Sequence, residues 1–169
     1  MRVIIAAVLI VFLSGCSAKE DILGEVSNMK ILSVFGNNGM IPSEYTCDGS
    51  NIAPKIEIND VPKNAKSIAI IVDDPDAPGG SFVHWVLWNI PADSAEIGEN
   101  SGVKGRNDFG RLGYGGPCPP SGSHRYFFRA YSLDSILSLR EGSTRKELEK
   151  AMKGHIIAEG VLMGKYSRK

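Results

Sequence analysis

Two histidines, a tyrosine and a cluster of aspartates are the side chains of this sequence whose types suit the capture of a charged ligand. They lie in three separate segments. The first is Asp73-Asp74-Pro75-Asp76-Ala77-Pro78. Its prolines fix φ and remove backbone donors, so a strand cannot run through it. They also hold the carboxylates in set directions. Taken alone, the stretch reads equally as a solvated acidic turn, since Asp and Pro are common turn residues. The second segment is Phe82-Val83-His84-Trp85-Val86-Leu87-Trp88. Alternate residues of a strand share a face. That rule places His84 with Val86 and Trp88, opposite Val83, Trp85 and Leu87. Both faces are apolar, so both should be covered, and a histidine there needs a partner. It is either a satisfied core histidine or the floor of a pocket, oriented by an aspartate of the acidic loop.

The third segment runs from Gly113 to Leu133, a glycine- and proline-rich loop that passes directly into His124-Arg125-Tyr126-Phe127-Phe128-Arg129. Strand alternation projects His124, Tyr126 and Phe128 together and sends Arg125, Phe127 and Arg129 to the other face. Glycines ahead of them remove side-chain bulk and let backbone N–H groups approach a ligand. The plainer alternative is a shaped turn with a histidine at its lip. Imidazoles, a phenol and open amides together suit an anion. A hydrolase would need a nucleophile. Ser121 and Ser123 are available, but there is no G-x-S-x-G elbow, and serines in such loops are ordinary turn formers. Two histidines and a carboxylate also suit a metal by type, although no close ligand spacing singles them out. A binder therefore ranks above an enzyme, with a small hydrolase as the alternative; neither a metal nor a cofactor is expected.

The 169 residues fit one domain with a real core. Nineteen basic and nineteen acidic side chains cancel, and no basic block supports nucleic-acid binding. The start of the chain is of another kind. One arginine is followed by an apolar run from Val3 to Leu13, too short to span a bilayer and typical of a secretory signal. Leu13-Ser14-Gly15-Cys16 resembles a lipobox, in which the cysteine is lipidated and becomes the new N-terminus. Acyl chains add about 0.8 kcal/mol of membrane affinity per buried CH₂. Residues 1–15 are thus expected to be a lipoprotein signal, 16–29 a lipidated tether, and 30–169 the domain. The product would be an exported, membrane-anchored lipoprotein facing the periplasm or cell exterior. Cys47 and Cys118 remain as an even pair in an exported chain, where disulfides persist. They either pair or sit separately in partly buried loops.

The elements that must position these residues are mostly strands. Lys30–Phe35, Ala53–Asp60, Ser67–Val72, Ser81–Pro91, His124–Leu133 and the last segment from His155 carry strand character between Gly- and Pro-rich turns. That pattern argues for a mainly β sandwich or barrel. One helix is predicted near Thr144–Gly154. Thr144 and Glu147 have capping-box spacing, Leu148, Ala151 and Met152 share a face, and Gly154 stands where a C-terminal cap belongs.

In this order, Asp73–Pro78, His84–Pro91 and Gly113–Tyr131 resemble the phosphatidylethanolamine-binding protein family, also called the Raf kinase inhibitor protein family. Tyr45–Ile58 further resembles its prokaryotic, YbhB/YbcL-type branch. The resemblance covers roughly Lys30 to the C-terminus. It implies a β-sandwich of two antiparallel sheets with a few short peripheral helices. It also implies a small cavity for phosphate, a carboxylate or a phospholipid head group, and a regulatory or inhibitory role toward a kinase or protease. On the family pattern the ligand-binding residues are Asp74, Asp76, His84, Gly116, Pro117, His124 and Tyr126. Arg125 also matches, but its opposite facing suggests a structural ion pair. Asp74 is expected to fix the tautomer of His84 or His124. Some eukaryotic members border the cavity with a C-terminal helix. Here the sequence ends soon after a strand-like run, so a more open pocket is expected.

Overall fold

The structure is a computed structural model and describes residues 26–168. The proposed signal peptide and Cys16 lie outside the described residues. Eight strands and one helix follow in order: β1 Ser27–Asn28, β2 Lys30–Ser33, β3 Ile56–Asn59, β4 Ser67–Asp74, β5 Phe82–Pro91, β6 Val103–Lys104, β7 Ser123–Leu133, α1 Arg145–Met152 and β8 Ile156–Ser167. A short 3₁₀ turn occupies Ser43–Tyr45. The main sheet has the order β1-β8-β7-β4-β5-β6, and β2 pairs with β3 in a small second sheet. The expected pair of antiparallel sheets is therefore unequal, and β1 joins β8 in parallel. That pairing, with Met29 in the core, starts the folded unit slightly before the Lys30 boundary read from the sequence. Scattered apolar residues in a polar stretch gave no periodicity there, and the pairing is long-range.

Both faces of the main sheet are covered, which is why β4 is buried along its whole length. On one face Ile68, Ile70, Val72, Trp85, Leu87, Tyr126, Phe128 and Ala130 pack against Ile31, Phe35, Ile56 and Ile58 of the second sheet and its flanks. On the other, Ala69, Ile71, Val86, Trp88 and Leu133 meet Leu148 and Met152 of α1. The helix forms as its sequence predicts. Thr144 accepts from the Glu147 amide while the Glu147 carboxylate accepts from the Thr144 amide. Such a box satisfies donors that a helix start otherwise leaves unpaired.

Strand β5 departs from simple alternation. Val72 pairs with Trp85, yet the next β4 residue, Asp73, pairs with Val83. One residue, His84, is extra. Such a bulge turns the bulged strand's side chains relative to the sheet. Val83 consequently packs with Val86 and Trp88 on the helix side. His84 packs on the Tyr126 side, the face that Trp85 and Leu87 also use. The alternation rule had put His84 with Val86 and Trp88, and the bulge overturns that assignment. A second shift between Ile68 and Ile70 of β4, beside Asn89 at φ 54°, brings Ile90 into the first core as well.

Candidate functional site

Strand order brings the three segments together. β4 lies between β7 and β5, antiparallel to both. The end of β4 at Asp74 therefore adjoins the start of β5 at Phe82 and the start of β7 at Ser123. A cavity of ≈ 230 Å³ opens at this corner, lined by Asp74, Ala77, Pro78, Phe82, His84, Phe109, Cys118, Pro120 and His124. A larger groove of ≈ 640 Å³ runs beside β2, but Lys30 and Asp60 are its only ionisable side chains. The chemistry is concentrated in the smaller cavity.

Asp74 and His124 form its polar core. The His124 Nδ1 lies 2.7 Å from Asp74 Oδ2, and both side chains are almost fully buried. A carboxylate can only accept, so Nδ1 carries the proton and Nε2 is left for a ligand. The other Asp74 oxygen accepts from the Asp76 amide at 2.8 Å, an Asx-type turn that starts the acidic loop. Both oxygens are thus occupied, and the pair holds its orientation without a ligand. Of the two histidines named in the expectation, it is His124 that Asp74 fixes.

His84 is held differently. Its Nδ1 lies 2.6 Å from the Gly115 carbonyl, and the Gly115 amide returns a bond to the His84 carbonyl at 2.9 Å. Around the ring stand Phe82, Phe109 and Tyr126, all in edge-to-face contact at 5.2–5.3 Å. Burial lowers the pKa of His84, outweighing the backbone acceptors and the Asp74 carboxylate that oppose it. The Tyr126 hydroxyl is buried without a hydrogen bond of good geometry. Burial, then the charge of nearby Asp74, pushes its ionisation up, so it stays a phenol.

Tyr126, whose hydroxyl is fully buried, is not among the residues lining the cavity, and three further residues expected to touch a ligand are placed elsewhere. Asp76 points to Arg125, which donates from its backbone amide (2.9 Å), Nε (2.9 Å) and Nη2 (2.6 Å). The Arg125 guanidinium holds the Asp76 carboxyl down to about 2. This is the structural ion pair anticipated for Arg125, and it clamps the acidic loop to β7. Gly116 and Pro117 stand behind the cavity wall. The Gly116 amide donates to Asn51 Oδ1 at 2.8 Å, and the Pro117 carbonyl accepts from the Cys47 amide at 3.1 Å. The Gly116 amide and the Pro117 carbonyl thus bind protein, not open space, because the Tyr45–Asn51 segment lies directly against them. Cys47 and Cys118 are bridged, with Cα atoms 5.4 Å apart, which ties that segment to the cavity loop.

Phe82 and Phe109, by contrast, line the cavity without having been singled out in the sequence. Phe109 is delivered by a turn in which buried Asn107 bonds the Gly113 carbonyl and the Arg111 amide. Asp108 then exchanges bonds with Val83. The signal in the sequence was the turn-forming Asn107-Asp108-Phe109-Gly110, but nothing local says which strand it meets. Among the described residues no group of three His, Cys, Asp or Glu side chains is arranged to hold a metal ion. No helix there is long and apolar enough to cross a membrane.

Comparison with known proteins agrees with this architecture. The phosphatidylethanolamine-binding protein family model matches residues 32–167. A UPF0098 protein of Pyrococcus horikoshii is 48% identical over 98% of this chain and 88% of its own length. A UPF0098 protein of Methanothermobacter thermautotrophicus is 50% identical over 79% of this chain and 95% of its own. The crystal structure of a phosphatidylethanolamine-binding protein homolog from Chlamydia trachomatis superposes with a TM-score of 0.81 at 41% identity, covering 85% of this chain and 99% of that one. That of E. coli YbcL, a member of the mammalian family, gives 0.77 at 28% identity, covering 83% and 99%. With every strand of the main sheet except β1, and both halves of the cavity, inside the matched span, this chain belongs to the phosphatidylethanolamine-binding protein family.

Proposed function

We propose that the cavity binds a small anion (phosphate, a carboxylate or a phospholipid head group) and that the protein is a regulatory or inhibitory binder, of the YbhB/YbcL type. The observation that carries this reading is the buried Asp74–His124 pair facing His84 across one small cavity. A protonated His124 donates from Nε2, while Asp74 on Nδ1 compensates its charge, so an anion oxygen gains a charge-assisted bond. The wall of Phe82, Phe109, Pro78 and Pro120 suits the carbon atoms next to such a head group. Ser121 and Ser123 do not line the cavity, so the hydrolase alternative has no serine beside the histidines.

Phosphate titration followed by calorimetry tests the reading. His124→Ala should weaken binding at least tenfold, since a bond to a charged group contributes about 1.5–3 kcal/mol. An unchanged isotherm removes His124 from the site. We also propose that Cys16 is lipidated and anchors the exported domain to a membrane. Cys16→Ala should move the protein to the soluble fraction, and retention in the membrane fraction sinks that proposal.

A further inference from the structure

The hydrogen-bond polarity of the cavity limits which anions it can take. Its acceptors and donors can be assigned ring by ring. The Gly115 carbonyl accepts only, so the His84 Nδ1 at 2.6 Å must carry the hydrogen of the neutral ring. His84 Nε2 is then a bare lone pair. It makes no hydrogen bond to any described residue, and the ring lines the cavity. The charged and titratable groups that face the ring are Asp74 from β4, His124 and Tyr126 from β7, and Asp108 beside β5. Asp74 has both oxygens occupied, by His124 and by the Asp76 amide. The amides of Gly115 and Gly116 are also spent, on His84 and Asn51. A ligand that fills this cavity therefore meets an acceptor at His84 Nε2, and the donor it meets is Nε2 of His124 in the protonated form invoked above.

We propose that the cavity selects oxyacids that still carry a hydrogen, such as hydrogen phosphate or a phosphate monoester monoanion, over oxyanions without one. The ligand's O–H donates to His84 Nε2, and a bare oxygen accepts from Nε2 of the protonated His124. An anion without a hydrogen sets an oxygen lone pair against the His84 lone pair and leaves that buried nitrogen unsatisfied. Sites that hydrogen-bond a hydroxyl discriminate strongly against analogues lacking it. This inference rests on the anion-binding reading above and narrows it, because the phosphodiester of a lipid head group has no P–OH.

The test is calorimetric titration of the full chain with inorganic phosphate, sulfate and dimethyl phosphate at pH 7 and constant ionic strength. Sulfate has phosphate's size without its hydrogen, and dimethyl phosphate stands in for a lipid diester. Phosphate should bind at least tenfold more tightly than either. In His84→Ala the phosphate-to-sulfate ratio should fall toward one. Should that variant not fold, the wild-type ratios decide alone. Equal affinities for phosphate and sulfate overturn the selectivity while leaving anion binding intact. Tighter dimethyl phosphate than phosphate also overturns it and points to a diester head group. Absence of binding in all three arms overturns both readings.

Discussion

Replacing Gly116 by alanine probes whether the cavity depends on the wall behind it. An added Cβ would lie 2.5 Å from Asn51 Oδ1, 2.6 Å from the Tyr45 carbonyl oxygen and 2.8 Å from Thr46 Cα. The Asn51 side chain can rotate away, at the cost of its bond to the Gly116 amide. The other two atoms are backbone. They are held by the Cys47–Cys118 bridge and by the Tyr114 hydroxyl on the Tyr45 carbonyl at 2.8 Å. Relief must therefore come from the 115–117 loop, which moves toward the cavity and carries the Gly115 carbonyl off His84. Overpacking of this kind costs about 1–3 kcal/mol, and at this chain size each kcal/mol shifts Tm by roughly 2–4 °C. A Tm drop of about 6 °C is expected by calorimetry. Loss of one hydrogen bond, about 0.5–1.5 kcal/mol, should weaken phosphate binding roughly two- to tenfold. Gly79→Ala is the control, since its added Cβ meets nothing within 4 Å. If Gly116→Ala matches Gly79→Ala in both Tm and affinity, the wall does not position His84.

The adjacent aspartates should behave oppositely. Asp73 points to the helix side, where it accepts from Ser81 and Arg129 at 3.0 Å and forms an ion pair with Arg145 at 3.2 Å. Asp73→Asn should lower stability by about 1–2 kcal/mol, less than for a fully buried pair because both arginines are more than a quarter exposed, and leave phosphate affinity unchanged. A change in affinity beyond threefold would show that the two faces are coupled. For Asp76, the folded pKa of about 2 lies below its ordinary 3.8. A depressed carboxylate contributes stability above the unfolded pKa and loses it as pH falls through the folded one. Wild type should thus be modestly more stable than Arg125→Ala above pH 4 in urea unfolding. That gap should close by pH 2, and a gap independent of pH would refute the assignment.

Much of this molecule was legible where the signal is local. The helix was readable from Thr144, Glu147, Leu148 and Met152 because capping and a 3.6-residue period are properties of one turn. The facing of His124 and Tyr126 held because β7 pairs with β8 without a shift along that stretch. The facing of His84 failed because a bulge depends on two strands at once. Gly116 and Pro117 were placed among the ligand contacts, but whether a loop's amides face a cavity or another segment depends on what packs behind it. Phe109 was invisible for a related reason, since its turn gains a role only beside β5.

The sequence by itself determined the strand-rich class, the capped helix, the breaks at the acidic and glycine–proline loops and the chemical types available for a site. These follow from backbone sterics and side-chain periodicity within a few residues. Tertiary structure alone decided which strands are neighbours, and hence that residues fifty positions apart, Asp74 and His124, share a buried bond. It also decided which aspartate faces the cavity and which way His84 turns. Those outcomes are fixed by register and packing between distant segments, where a shift of one residue sends a side chain to the opposite face.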